Sequence, residues 1–317
     1  ARAPDGPLAE PLAIIDAGVL CPIGLDVVQA AASVRAQIHR KVESGWLDLR
    51  NERIVLGSVP DEVLRPLPPA LARARPPLDP LRLRLLQLAV PALQEVLGSL
   101  ELRRPIRPPL LLAGPHVDAP RPPPVDAAFF AQLEGLAGVK LELAASSAST
   151  GRAGLFAALG AAPRLLASGH PFVVVGGIDS YADETRLGQL ERQGRLQTTG
   201  PQDAFTPGEG AAFLLVTTRT IARDAKLRPL ALVSALSLGH EAGHWHSSEP
   251  HLGEGLSATV MRLLAGMGQP LSHVVAGLNG ERMYAREWGV TMLRNHESFA
   301  EPVLLEHPAE FTGDLGA

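Results

Sequence analysis

The run Phe172-Val173-Val174-Val175-Gly176-Gly177 is the strongest constraint on how this chain can fold. Four consecutive apolar residues, three of them β-branched, show no polar alternation. Such a segment predicts a strand covered on both faces. An Ala- and Leu-rich helix is predicted at 152–167, just before it. Strands and helices continue to alternate on either side, so the fold class is α/β with helices layered on a sheet. The paired glycines mark a close backbone approach rather than a phosphate loop. No G-x-G-x-x-G follows the first strand, and there is no Walker motif.

Further strands are expected at 12–15, 109–114, 139–143, 211–218, 230–238, 274–277 and 303–305. Helices are expected at 26–40, 81–97, 126–136, 256–265 and 281–295. The stretch Val139-Lys140-Leu141-Glu142-Leu143 alternates apolar and polar residues, as a strand with one wet face does. Pro-rich segments at 65–80 and 115–124 read as connectors. Residues 1–10 read as a flexible lead, and 217–226 as the midpoint between two halves.

Composition narrows the function. A net charge of -4 gives no basic field for nucleic acid. One cysteine, Cys21, excludes an internal disulfide framework and a zinc site built from several cysteines. No segment approaches the roughly 20 apolar residues of a membrane span. The N-terminus lacks the basic-then-apolar form of a signal peptide. A cytoplasmic protein without a cofactor is expected.

Several motifs occur in order along nearly the whole chain. Val173-Val174-Val175-Gly176-Gly177-Ile178-Asp179-Ser180 is followed by Pro207-Gly208-Glu209-Gly210-Ala211-Ala212-Phe213. Upstream lies Gly18-Val19-Leu20-Cys21-Pro22-Ile23-Gly24. Together they resemble the β-ketoacyl synthases of the thiolase superfamily. The resemblance implies a layered αβαβα fold built from two similar half-domains, at 11–220 and 221–317. The second half is incomplete beside the family, whose members continue further. It also implies dimerisation through the strand before the nucleophile, here residues 139–144.

Condensing enzymes of that family need a thiolate at a helix N-terminus, where amides and the dipole lower its pKa. By resemblance this position falls within Ser149-Thr150-Gly151-Arg152-Ala153-Gly154, with Arg152 the best match. The two family histidines map onto Asn279 and Asp314, and the lysine onto Ala309. Cys21 falls where the family carries Ser or Thr. Asn279 can donate a hydrogen bond to an oxyanion. An ionised Asp314 would repel a malonyl carboxylate, which argues against decarboxylative condensation. The pocket positions to inspect for ligand binding are therefore Gly151, Arg152, Asn279 and Asp314. Arg152 either offers its charge to an anionic ligand or pairs with Asp314.

Two other patterns carry chemistry on paper. His240-Glu241-Ala242-Gly243-His244 spells the H-E-x-x-H signature of zinc hydrolases, with His246, His251, Glu249 and Glu254 nearby. It directly follows an apolar strand and runs into Ser247-Ser248-Glu249-Pro250, so it reads as a loop at a pocket rim. Ser146-Ser147-Ala148-Ser149-Thr150 offers hydroxyls, but no Gly-x-Ser-x-Gly elbow surrounds them. It reads as a polar cap on the helix that follows.

Two classes of function stay open. In the first, an inactive ketosynthase-like scaffold binds a protein partner, as a homodimer or a hetero-complex. It would be an adaptor or chaperone-like accessory of a bacterial type VI secretion cargo module, or the chain-length-factor-like partner of an active ketosynthase. In the second, replaced residues bind or transfer an acyl chain, or His240, Glu241 and His244 hold zinc. The altered pocket positions favour the first.

Overall fold

The computed structural model describes residues 5–75, 77–98, 107–116, 121–142, 144–147, 151–198, 203–245, 247–265 and 267–317. The first half contains β1 (Gly6–Leu20), α1 (Val27–Arg35), β2 (Val42–Leu47), β3 (Arg53–Leu56), α2 (Pro69–Ala72) and α3 (Pro80–Gly98). It continues through β4 (Leu110–Ala113), α4 (Ala127–Ala137), β5 (Ala144–Ser147), α5 (Gly154–Ala167), β6 (Val173–Ser180), α6 (Glu184–Arg192) and β7 (Glu209–Thr218). After α7 (Arg219–Asp224) come β8 (Ala231–Leu236), α8 (Glu254–Leu264), β9 (Leu271–Val275), α9 (Arg282–Arg294), β10 (Phe299–Glu306) and α10 (Ala309–Thr312).

The central sheet has the order β5-β4-β6-β7-β1-β8. Strands β5, β4 and β6 run parallel, while β7 is antiparallel to both β6 and β1. The uniformly apolar β6 is buried at every position. Val174 joins Leu110, Leu112, Phe213 and Leu215 against α3 and α4. Val173 and Val175 turn to the other face, with Leu111 and Val216 against α5. Each fully buried side chain of this kind contributes about 1.5–3 kcal/mol. Gly176 lies opposite Phe213 in the ladder, and a Cβ there would stand 2.3 Å from the Phe213 ring. The close approach read from the sequence is thus an aromatic ring laid on bare backbone.

Four expectations are corrected. The strand at 12–15 extends over Gly6–Leu20, so residues 6–10 are no flexible lead but the start of β1, where Gly6 and Pro7 pair with β8. The helix expected over 26–40 stops at Arg35, because Gln37 takes a left-handed φ of 56°. Residues 139–142 form no strand: the amides of Val139 and Leu141 go to the carbonyl and carboxylate of Glu134 at the end of α4. The edge strand begins instead at Ala144, and Leu143 lies outside the described residues. Finally, the halves do not each own a sheet. β8 joins the first sheet through β1, while β9 and β10 form a separate parallel pair.

Glu209 anchors the first sheet to the loop after β3. It is 1% exposed and accepts hydrogen bonds from the Val59 amide at 2.8 Å and the Ser180 hydroxyl at 2.7 Å. Arg84 of α3 completes the set with Nη2 at 2.6 Å and Nε at 2.9 Å. Burial alone would lower the Arg84 pKa, but its hydrogen bonds to Glu209 raise it. Removing one member of such a buried pair strands the other charge. Glu209→Ala is therefore expected to cost about 3–5 kcal/mol in urea unfolding, with the slope of the transition unchanged.

Candidate functional site

A cavity of about 680 Å³ opens between the start of α5, the segment after β6, α9 and the irregular chain between β8 and α8. The motifs converge around it because two distant segments are threaded together. The Gly208 amide donates to the Asp314 carbonyl, and the Asp314 amide donates to the Thr206 carbonyl, both at 2.8 Å. Only glycine fits at position 57, where a Cβ would lie 1.8 Å from the Thr312 carbonyl oxygen. Beyond this ladder, the Ala317 amide donates to Asp179 at 3.2 Å.

Gly151 and Arg152 lie in a 3₁₀ turn, Gly151–Ala153, that leads into α5. The Arg152 guanidinium forms a close ion pair with Asp314 and donates to the Gly277 carbonyl at 3.2 Å. It also stacks over the Tyr284 ring, 4.1 Å from the centroid. Asn279 donates both amide protons, one to Asp314 at 2.8 Å and one to Glu281 at 2.9 Å. Glu281, 1% exposed, takes a forked pair from Arg195 at 2.7 and 3.0 Å. Burial pulls the Arg195 pKa down, but the Glu281 hydrogen bonds outweigh it and raise it. Arg195 lies over Trp245 at 4.4 Å. The chain of contacts Arg152–Asp314–Asn279–Glu281–Arg195 therefore crosses between the two halves.

Of the positions singled out in the sequence, Arg152, Asn279 and Asp314 come together, with Gly151 beside them on the cavity wall. Their polar groups are committed to one another. Ala309 opens the short α10. Cys21 is 4% exposed and packs with Ile23 and Phe311, and burial pushes its thiol pKa up. That is opposite to what a thiolate nucleophile needs. Ser146 and Ser147 fall in β5, while Ala148, Ser149 and Thr150 lie outside the described residues.

The H-E-x-x-H segment is not helical. The Glu241 carboxylate accepts from the Gly255 amide at 2.7 Å, so it caps the first turn of α8. The His240 and His244 rings meet edge to face with centroids 6.0 Å apart. Among the described residues no three His, Cys, Asp or Glu side chains form a metal-holding group, and His246 lies outside them. The i, i+4 facing that the zinc-hydrolase motif requires depends on a helix, and this loop supplies none. His240, Glu241 and His244 instead line the cavity that Arg152 lines.

Sequence reasoning missed Arg195, Glu281, Asp179 and Arg186. Asp179 and Arg186 form a second buried ion pair, and Arg186 lies 4.2 Å from the Tyr181 ring centroid. Asn279 was marked by the resemblance, yet the pairing of its neighbour Glu281 with Arg195, 86 positions away, leaves no local trace.

Because Glu281 is fully buried, Arg195→Met is expected to destabilise by about 3–5 kcal/mol. Adding Glu281→Leu to that variant removes the stranded charge and is expected to restore most of the loss in chemical denaturation.

No family model and no curated protein matches the sequence. Solved structures do. One is a type II polyketide ketosynthase in complex with its acyl-carrier protein: TM-score 0.73, 14% identity, covering 97% of this chain and 83% of that one. The ishigamide ketosynthase/chain length factor gives 0.72 and 16%, covering 97% and 82%. The module 6 ketosynthase of the bacillaene synthase from Bacillus subtilis 168 gives 0.72 and 14%, with 97% of this chain but 58% of that chain covered. The chain has the thiolase fold in its ketosynthase-like form.

Proposed function

We propose that this protein is a non-condensing, ketosynthase-like scaffold that works by binding a protein partner. The observation that carries the reading is the Arg152–Asp314 ion pair at the mouth of α5. A condensing enzyme places a thiolate there, activated by free amides and the helix dipole. Here the same place holds a guanidinium fixed by a carboxylate from the far end of the chain. The sole cysteine is buried in an apolar cluster with its thiol pKa raised. Asn279, in the place of a catalytic histidine, has already given both amide protons to carboxylates.

The partner reading draws on the sheet edge. Among the described residues β5 ends the six-stranded sheet and pairs only with β4, which makes it the edge strand on that side. This edge replaces residues 139–144 as the docking strand, for a second copy or for a related chain. Among the similar structures, one is described as a ketosynthase/chain length factor and one as a ketosynthase with its acyl-carrier protein. An acyl chain is the weaker reading, because three ion-paired arginines and the carboxylates of Glu241 and Glu287 share the cavity wall with its apolar residues.

Native mass spectrometry of protein gently purified from its source cell tests the reading. A hetero-complex is expected. A thiolase-fold partner would mark the protein as chain-length-factor-like, and a secreted effector as a type VI cargo adaptor. A monomer or homodimer carrying a covalent acyl group would overturn it. Arg152→Cys is expected to leave malonyl-thioester decarboxylation undetected, because Asn279 and Asp314 remain. Turnover by that single variant would contradict the reading of the pocket.

A further inference from the structure

The partner reading leaves the 680 Å³ cavity without an occupant, although its volume is that of a small-molecule site. Its charges say what would fit. Each of the three arginines on its wall is neutralised and stacked. Arg152 pairs with Asp314 and covers Tyr284, Arg186 pairs with Asp179 and covers Tyr181, and Arg195 pairs with Glu281 and covers Trp245. None of these guanidiniums is left for an anion.

The carboxylates are not balanced in the same way. The Glu287 carboxylate, on α9, has no hydrogen-bond or ion-pair partner among the described residues, yet Glu287 lines the cavity and is only partly exposed. Glu241 stands near enough to repel it, and the Glu241 carboxylate accepts from the neutral Gly255 amide. Two carboxylates thus share one concave site, and neither forms an ion pair among the described residues. Leu190 and Met283 supply apolar wall beside them.

We propose that this cavity binds an organic cation, an ammonium or guanidinium group on a slim aliphatic stem, with Glu287 as its counter-ion. The stem lies against Leu190 and Met283 and the charged head meets Glu287, flanked by Glu241. A bare metal ion fits less well, since the described residues form no three-ligand group. The inference does not depend on the scaffold having a protein partner. The same chemistry can arrive as a free polyamine-like molecule or as a Lys or Arg side chain of a peptide.

The pH behaviour follows in sign. Burial, then repulsion by Glu241, raises the Glu287 pKa above its usual value, with Arg152 opposing. The other titratable groups on the cavity wall are His116, His240, His244 and His251. Cation binding needs Glu287 ionised, so affinity falls as pH drops through its raised pKa. For the free protein, a raised carboxyl pKa favours folding at acid pH, and that contribution is lost as pH rises. Glu287→Gln is therefore expected to melt no lower than wild type at neutral pH.

Isothermal titration of the full chain is the test, with agmatine as the free cation, a capped peptide bearing a single Arg, and glutarate as the anion. Saturable binding of one cation per chain is expected, weakened about tenfold or more by Glu287→Gln and weakened again at pH 5. The tighter of agmatine and peptide identifies the source of the cation. Glutarate binding as tightly as the cations, no binding of either cation, or cation affinity unchanged in a normally folded Glu287→Gln would each overturn the proposal. The glutarate comparison uses wild-type protein alone, so it decides even if the variant misfolds.

Discussion

The ion pair between Arg152 and Asp314 joins the start of α5 to the last residues of the chain, and the site is built around it. On one side the contacts pass through Asn279 to Glu281 and Arg195. On the other, the backbone of Asp314 is held by Thr206 and Gly208, directly before the Glu209 hub. A buried charge in this chain is rarely paired within its own element. It reaches across a sheet end or between halves, so moving one segment would strand several charges at once. Stranded buried charges cost more than most single contacts contribute. The network therefore fixes where the pocket walls stand.

The same network fits the proposal that this ketosynthase-like frame keeps its shape without the nucleophile that the resemblance would set at the start of α5. Such a site needs either a reactive group held ready or some structural filling that satisfies the same backbone and dipole. Here a guanidinium with a carboxylate partner does the filling. A cation at a helix N-terminus opposes the dipole. Asp314 supplies the compensating negative charge, and the Tyr284 ring supplies a stacking face. The three stacked arginines repeat this device around the cavity and leave its acidic side, Glu241 and Glu287, as the part open to a ligand.

Much of this was legible in the sequence, for identifiable reasons. The apolar run of β6 and the helix before it are local patterns, and both formed where expected. The meeting of Arg152, Asn279 and Asp314 was readable only through ordered motifs, since no periodicity links positions so far apart. Residues 139–143 misled because alternation marks a strand only if the amides are free, and Glu134 captures two of them. The H-E-x-x-H segment is the pocket-rim loop that its flanking residues suggested, with Glu241 spent on capping α8. Arg195 and Glu281 left no signal at all, because a lone buried ion pair has no spacing rule.

The most direct test of the central claim is a double-mutant cycle between Arg152 and Asp314, using Arg152→Ala, Asp314→Ala and the double variant in chemical denaturation. A structural pair at the start of α5 predicts a favourable coupling of about 0.5–3 kcal/mol. Additive losses, with no coupling, would show that the two residues do not hold each other, and would contradict the account of the pocket given above.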